Sequence, residues 1–365
     1  MDKCRPKVLF NLPNPRLHGG VAVCASVLEH ELRRSVDLQT FNYGRKKNTE
    51  TLLTKILDRS NDLISLRSKI IKTRPTLIHH NSAFDKMAII RDAPLLWLAK
   101  FYKIPTLVVM HGSLDESFER MNPLLEQLRD FLLNSADCIG VLSEVERQKF
   151  LKTWPFLSPR LKVVKNIIQP DFYTIKRQET IFPTLLFISR FIRQKGPFDL
   201  LEAIPGVINK FPTAQFIFVG SGSDDWDFDK RVKKRQLDLF VKRFAHIDNL
   251  ATGAFYGSAW AFVFPTHFPE GMPMVVAEAM AAGVPIITTN TSFSGSYMSA
   301  GDHCLFVNAK DFSSIEAQIM YLLENSELRQ RMSANNRELA KAFRAEIVTR
   351  EFLGIYEDLQ RASVH

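Results

Sequence analysis

Short apolar runs closed by Gly, Pro or small polar residues recur along the chain, separated by longer segments whose apolar residues fall three or four apart. The short runs are too brief for helices and read as buried strands; the longer segments read as helices. In the first half this places strands at 8–12, 77–80, 106–110, 138–142 and 162–165, with helices over about 21–34 and 85–102. A further helix starts at Ser143-Glu144, where the serine supplies an N-cap. In the second half strands fall at 185–188, 215–219, 261–266, 284–288 and 304–307. Helices start near Asp199 and near Asp225, run between Pro273 and Gly283, and finish the chain over about 312–324 and 327–361. Residues 248–253 read as irregular. Strands alternating with helices predict parallel sheets, so the class is α/β. Residues 169–183 lack periodicity and contain Pro170 and Pro183, a linker. It divides an N-terminal domain, 1–168, from a C-terminal domain, 184–342, which 343–365 follow as a terminal helix.

Length agrees, because 365 residues at 45% hydrophobic composition exceed what one compact core accommodates and suit two. Cys4, Cys24, Cys138 and Cys304 are far apart, have no C-x-x-C spacing and lie mostly in apolar runs, the pattern of reduced core thiols in a cytoplasmic protein. Residues 1–7 lead straight into a strand, so no signal peptide is expected. The longest uncharged stretches, 250–266 and 279–301, are broken by Gly, Ser, Thr and Pro, and neither reads as a membrane span.

Charge changes this picture more. Residues 1–165 carry 27 Lys and Arg against 17 Asp and Glu, whereas the remainder carries 21 against 22, so the whole net charge of +9 lies in the N-terminal half. Clusters at Arg33-Arg34, Arg45-Lys46-Lys47 and Arg67-Lys69-Lys72-Arg74 suit either a solvated helix face or peripheral contact with an anionic membrane. Aromatic-basic interleaving, helix-turn-helix and zinc patterns are missing, so nucleic acid is not expected as a partner.

Candidate chemistry concentrates in residues 270–285, EGMPMVVAEAMAAGVP. Glu270 lies in the loop entering a helix that Pro273 and Gly283 bracket, and Glu278 lies in its middle. A carboxylate among Val, Ala and Met needs a partner, because desolvating it unpaired is costly. A nucleotide diphosphate-sugar supplies such partners, with ribose hydroxyls on Glu278, phosphates over the amides at Gly271 and Met272, and the sugar near Glu270. The same spacing also fits a first-turn carboxylate and a surface glutamate. Other candidates stand where strands end. Arg190 and Lys195 share one loop before a helix start, where two cations can neutralise a diphosphate without metal. His111 follows the strand 106–110, His80 and Asn81 follow 77–80, and His18, Gly19 and Gly20 follow the first strand. Gly220-Ser221-Gly222 lacks the third glycine of a dinucleotide fingerprint. Asp225/Asp227 or Asp227/Asp229 give a D-x-D pair, for which a metal site competes with acidic residues at the start of a helix that turns basic.

E-G-M-P followed by E-A-M-A-A-G-x-P closely resembles the E-x7-E motif of the retaining family 4 glycosyltransferases, "glycosyl transferases group 1", and the likeness covers essentially the whole chain. Val164-Lys165-Asn166-Ile167-Ile168 resembles that family's V-x-N-G-I-D, with a departure where Gly is common. The resemblance implies a GT-B fold of two Rossmann-like domains facing across a cleft, the last helix crossing back to the first domain. It implies transfer of a sugar, with retention and without metal or other cofactor, from a nucleotide-sugar, UDP ahead of GDP. The basic N-terminal half adds the expectation that the acceptor is a hydroxyl of a glycan or lipid-linked intermediate in surface polysaccharide synthesis, such as O-antigen or exopolysaccharide, at the inner face of the cytoplasmic membrane. The resemblance gives catalytic weight to Glu270, His111, Arg190 and Lys195. It gives donor contacts to Gly19, Gly20, Gly271, Met272, Pro273, Met274 and Glu278 and turns His18 toward the acceptor, which His80 and Asn81 also face by their place at a strand end. A nucleotide-sugar 2-epimerase of the same fold and a non-catalytic sugar-nucleotide-binding protein are the competing readings.

Overall fold

A computed structural model of the chain describes residues 5–13, 20–44, 52–114, 121–178, 180–245, 247 and 249–362. They form two compact units, residues 1–167 with 345–365 and residues 168–344. His18, Gly19 and the cluster 45–47 lie outside the described residues.

In unit 1 strands and helices alternate: β1 (Lys7–Pro13), α1 (Gly20–Leu32), β2 (Asp37–Tyr43), α2 (Leu52–Thr73), β3 (Leu77–Ser82), α3 (Lys86–Phe101), β4 (Thr106–Met110), α4 (Pro123–Ser135), β5 (Cys138–Val141), α5 (Glu144–Thr153) and β6 (Leu161–Val163). The strands form one parallel sheet in the order β2-β1-β3-β4-β5-β6. Every position of β3, β4 and β5 is buried, the pattern of central parallel strands covered on both faces. Leu66 and Ile70 of α2 and Leu95 and Leu98 of α3 share one apolar cluster over Leu9 and Ile78 of the sheet.

Unit 2 repeats the plan with β7 (Thr184–Ile188), α6 (Pro197–Lys210), β8 (Gln215–Val219), α7 (Asp225–Lys234), β9 (Val241–Phe244), α8 (Gly253–Ser258), β10 (Ala261–Phe264), α9 (Met274–Ala281), β11 (Ile286–Thr289), α10 (Ser292–Tyr297), β12 (Cys304–Val307), α11 (Phe312–Glu324) and α12 (Ser326–Ala340). Its parallel sheet runs β12-β11-β10-β7-β8-β9, so the chain starts in the middle, builds outward, and returns to start again at β10. The switch point of the sheet lies between β7 and β10, where doubly wound folds bind ligands. Phe191, Phe218 and Phe228 pack edge-on or tilted, with centroids 4.8–6.3 Å apart, beneath the loops that leave β7 and β8. A side chain at Gly222 would sit 2.1 Å from the carbonyl oxygen of Phe191, so this glycine serves close packing of two loops. The last helix, α13 (Ala345–Ala362), belongs to unit 1, where the Tyr356 hydroxyl meets His79 Nδ1 at 2.6 Å and Lys165 pairs with Glu351 at 2.5 Å.

Two expectations need correction. The final segment is two helices, because Phe343 is buried against Phe293 and Tyr297, its carbonyl accepts from the Ile168 amide at 3.2 Å, and Arg344 is extended. Residues 249–252 form a 3-10 turn leading into α8 at Gly253, where irregular chain was expected over 248–253. In addition β2, α2, α4, β9 and α10 have no counterpart among the expected elements. β9 buries only Val241, and β2 breaks strict alternation between Leu38 and Phe41.

The packing predicts opposite signs for two substitutions read by urea denaturation. Phe228→Ala costs about 3–5 kcal/mol through the cavity it opens. Gly354→Ala, exposed within α13 with open space around the added carbon, stabilises by about 0.5–1 kcal/mol.

Candidate active site

The loops after β7 and β10 are drawn together by one residue that only glycine fits. Residues Arg193–Lys195 form a 3-10 turn that Gly196 ends at φ +84°, and a side chain there would lie 2.3 Å from the Pro265 carbonyl oxygen. The close approach is fastened by backbone, with the His267 amide donating to the Gln194 carbonyl at 2.8 Å and the Thr266 hydroxyl to the same oxygen at 3.2 Å. The result sets Lys195, only 7% exposed, on Glu270 in a buried ion pair. Burial pulls the Lys195 pKa down against the pull of Glu270, and pushes Glu270 up against Lys195. The Lys195 ammonium also stands 4.3 Å from the Phe268 ring centroid, over which the exposed Arg190 guanidinium lies at 5.9 Å.

Gly271, Met272 and Pro273 are buried, and α9 starts at Met274 with no side-chain cap, so its first amides are not satisfied by a capping group. Glu278 is 4% exposed, and the partner its surroundings demand is internal, the Tyr256 hydroxyl at 3.1 Å. Burial and the Glu278 charge raise the Tyr256 pKa well above the ordinary phenol, so the hydroxyl keeps its proton and donates. Tyr256 lies on α8, and nothing in its sequence neighbourhood announces it. The acidic run after β8 is taken up by arginines. Asp224 accepts from the Arg193 amide at 2.8 Å, Asp225 is 3.5 Å from Arg243, Asp227 pairs with Arg193 and Arg231, and Asp229 pairs with Arg243 at 2.7 Å.

In unit 1 the parallel strands place three of the expected residues together at the C-terminal ends of the central strands β3 and β4. Asn81 donates its amide N–H to the Asn11 carbonyl at 3.0 Å, which turns its oxygen toward His111 Nε2 at 2.9 Å. An amide oxygen only accepts, so Nε2 carries the proton and Nδ1 is left as an acceptor, buried and without a partner among the described residues. Burial lowers the His111 pKa to about 4, which keeps the ring neutral near pH 7. The ring lines a small cavity with Cys24, Asn81, Lys165 and Asn166. His80 is different. It has no exposed surface, lies 3.4 Å from Asp92 and stacks on Tyr43 at 4.9 Å, while Asp92 also takes the Ser82 hydroxyl and Arg91. As placed, His80 holds sheet to helix rather than facing an acceptor. Gly20 is the first residue of α1.

Residues 173–339 match the family described as "Glycosyl transferases group 1". A phosphatidyl-myo-inositol mannosyltransferase of Mycobacterium leprae is 27% identical over 175 residues, 48% of this chain and 46% of its own length. The chain thus spans about half the length of curated relatives of this kind. Sucrose-phosphate synthase from Thermosynechococcus elongatus superposes with a TM-score of 0.83 at 18% identity, covering 98% of this chain and all of that one. Anabaena Alr3699/HepE in complex with UDP and glucose gives 0.75 at 13% identity, covering 96% and 99%. With its two six-stranded parallel sheets, the chain has the GT-B fold of glycosyltransferases.

Two outcomes follow from the unit 1 geometry. Asn81→Leu releases the His111 ring, and its imidazole 15N shifts move from the pattern of a single Nε2–H tautomer toward a mixture, whereas wild type keeps one tautomer. A histidine whose folded pKa lies below its unfolded value of 6.5 adds stability that is full above that value and lost as pH falls toward about 4. The urea midpoint of unit 1 therefore drops between pH 6.5 and 4, and His111→Asn shallows the drop.

Proposed function

We propose that this chain transfers a hexose, with retention of configuration and without a metal, from a nucleotide diphosphate-sugar to an acceptor hydroxyl. UDP stands ahead of GDP as the donor nucleotide. A growing glycan or lipid-linked intermediate of bacterial surface polysaccharide, of the O-antigen or exopolysaccharide kind, is the acceptor, met at the cytoplasmic leaflet. The observation that carries this reading is the Lys195–Glu270 pair at the switch point of unit 2, with Arg190 beside it and the uncapped start of α9 next in the chain. The family match over residues 173–339 and the names of the relatives support it.

The chemistry assigned to these groups is electrostatic. The bond from the sugar's anomeric carbon to the diphosphate oxygen breaks, a bond from that carbon to the acceptor oxygen forms on the same face, and the acceptor proton passes to the leaving phosphate. Lys195, Arg190 and the first amides of α9 hold the charge that develops on the diphosphate, in a site whose groups are already oriented. Glu270 is the sugar's anchor and Glu278, held by Tyr256, the ribose's. On unit 1 the bare Nδ1 of His111 accepts a hydrogen bond from a sugar hydroxyl.

The test is release of nucleoside diphosphate from UDP-, GDP- and ADP-sugars by the purified chain in EDTA. EDTA-resistant release from one donor is expected, and Lys195→Ala lowers it by about a hundredfold to a thousandfold. Release that appears only with added Mn²⁺ or Mg²⁺ would transfer the leaving-group role to a metal and overturn the assignment of the two cations.

A further inference from the structure

The outward faces of α2 and α3 in unit 1 carry apolar side chains where a soluble helix carries polar ones. On α2 the buried stripe includes Asp62, Leu66 and Ile70, yet Leu57, Ile64 and Ile71 are exposed. They recur every seven residues on the side opposite that stripe. On α3 the buried face includes Ala88, Asp92, Leu95 and Ala99, and Met87, Ile90, Trp97 and Phe101 form the opposite side. Trp97 and Phe101 are 55% and 65% exposed and stack on each other in the open, with centroids 5.7 Å apart. Each line runs over fourteen helical steps, from Leu57 to Ile71 and from Met87 to Phe101, about 21 Å. Because Leu66 and Ile70 share a cluster with Leu95 and Leu98 over one face of the sheet, the two outer faces look away from that sheet on the same side.

Charge identifies what such a face fits. From residue 52 to 104 the chain has ten Lys and Arg and four Asp. Asp62 and Asp92 are buried, and Asp85 is committed to capping α3. Arg67, Lys69 and Lys72 on α2, and Lys100 with Lys103 at the end of α3, make no ion pair with a described residue. An apolar line containing Trp and Phe, flanked by free cations, is the composition of a helix that lies in the boundary between headgroups and acyl chains of an anionic bilayer. A second copy of this chain would bring the same cations face to face.

We propose that the outer faces of α2 and α3 form a docking surface for an anionic lipid bilayer, with Trp97 and Phe101 entering the acyl boundary and the lysines and arginines meeting lipid phosphates. This deepens the lipid-linked acceptor of the preceding section and rests on that reading for its purpose, though not for its geometry. The surface involves none of the residues assigned to donor chemistry.

The experiment is flotation of the full chain with vesicles of phosphatidylcholine alone or mixed with phosphatidylglycerol, at low and high salt. Binding to the mixed vesicles only, weakened by salt, is expected. Trp97→Ser/Phe101→Ser should lower partitioning by roughly tenfold or more while leaving thermal unfolding and nucleoside diphosphate release unchanged. Lys100→Glu/Lys103→Glu should lower it by a similar order. In a Trp226→Phe background, brominated lipid should quench the fluorescence of Trp97. Three results would overturn the proposal: no binding to mixed vesicles at low salt, binding undiminished by the Trp97/Phe101 change, or a dimer in solution that this change dissolves. Donor turnover that persists without vesicle binding removes only the docking surface, whereas vesicle binding without turnover removes the transferase reading instead.

Discussion

A lysine and a glutamate held together out of water are the constraint on which unit 2's site depends. Removing one partner from such a pair leaves a buried charge uncompensated, on the order of 3–5 kcal/mol. The pair is expensive to assemble, and the fold assembles it with backbone: Gly196 at positive φ, the carbonyl of Gln194 tied to Thr266 and His267, and the parallel strands β7 and β10 ending side by side. Burial favours the neutral form of both side chains, and each holds the other charged. Two opposite charges held in readiness can each turn to a ligand of the opposite kind, the ammonium to a diphosphate and the carboxylate to hydroxyls.

Unit 1 relies on a neutral device. The carbonyl of Asn11 fixes the amide of Asn81, the amide fixes the proton on His111 Nε2, and an acceptor nitrogen is left over in a buried setting. Burial keeps that ring uncharged near neutral pH, so Nδ1 stands as a lone-pair acceptor rather than a second donor.

The α9 segment was the most legible part of the chain because its punctuation is local: Pro273 before the helix, Gly283 after it, short apolar strands on either side. Central strands read well because a parallel strand buried on both faces is a continuous apolar run. Edge strands β2 and β9 do not announce themselves that way, since half their surface meets solvent or charge. Tyr256 was invisible because its reason for being there is a glutamate 22 residues later. The break before α13 had no local signal either, for it depends on where Phe343 finds Phe293 and Tyr297. His80 was correctly placed on a strand but its register turns it inward, onto Asp92 and Tyr43. The basic excess of the first half was plain from counting, but the apolar lines beside it emerge only once the buried faces of α2 and α3 are known.

Isothermal titration of the full chain with UDP and with UDP-glucose tests most directly whether the Lys195–Glu270 pair divides between diphosphate and sugar. Lys195→Met should weaken UDP by at least about tenfold, the scale of one lost charge-assisted contact. Glu270→Gln should leave UDP affinity intact and remove what the glucose adds. Equal UDP affinity in wild type and Lys195→Met, or loss of UDP binding in Glu270→Gln, would contradict the account.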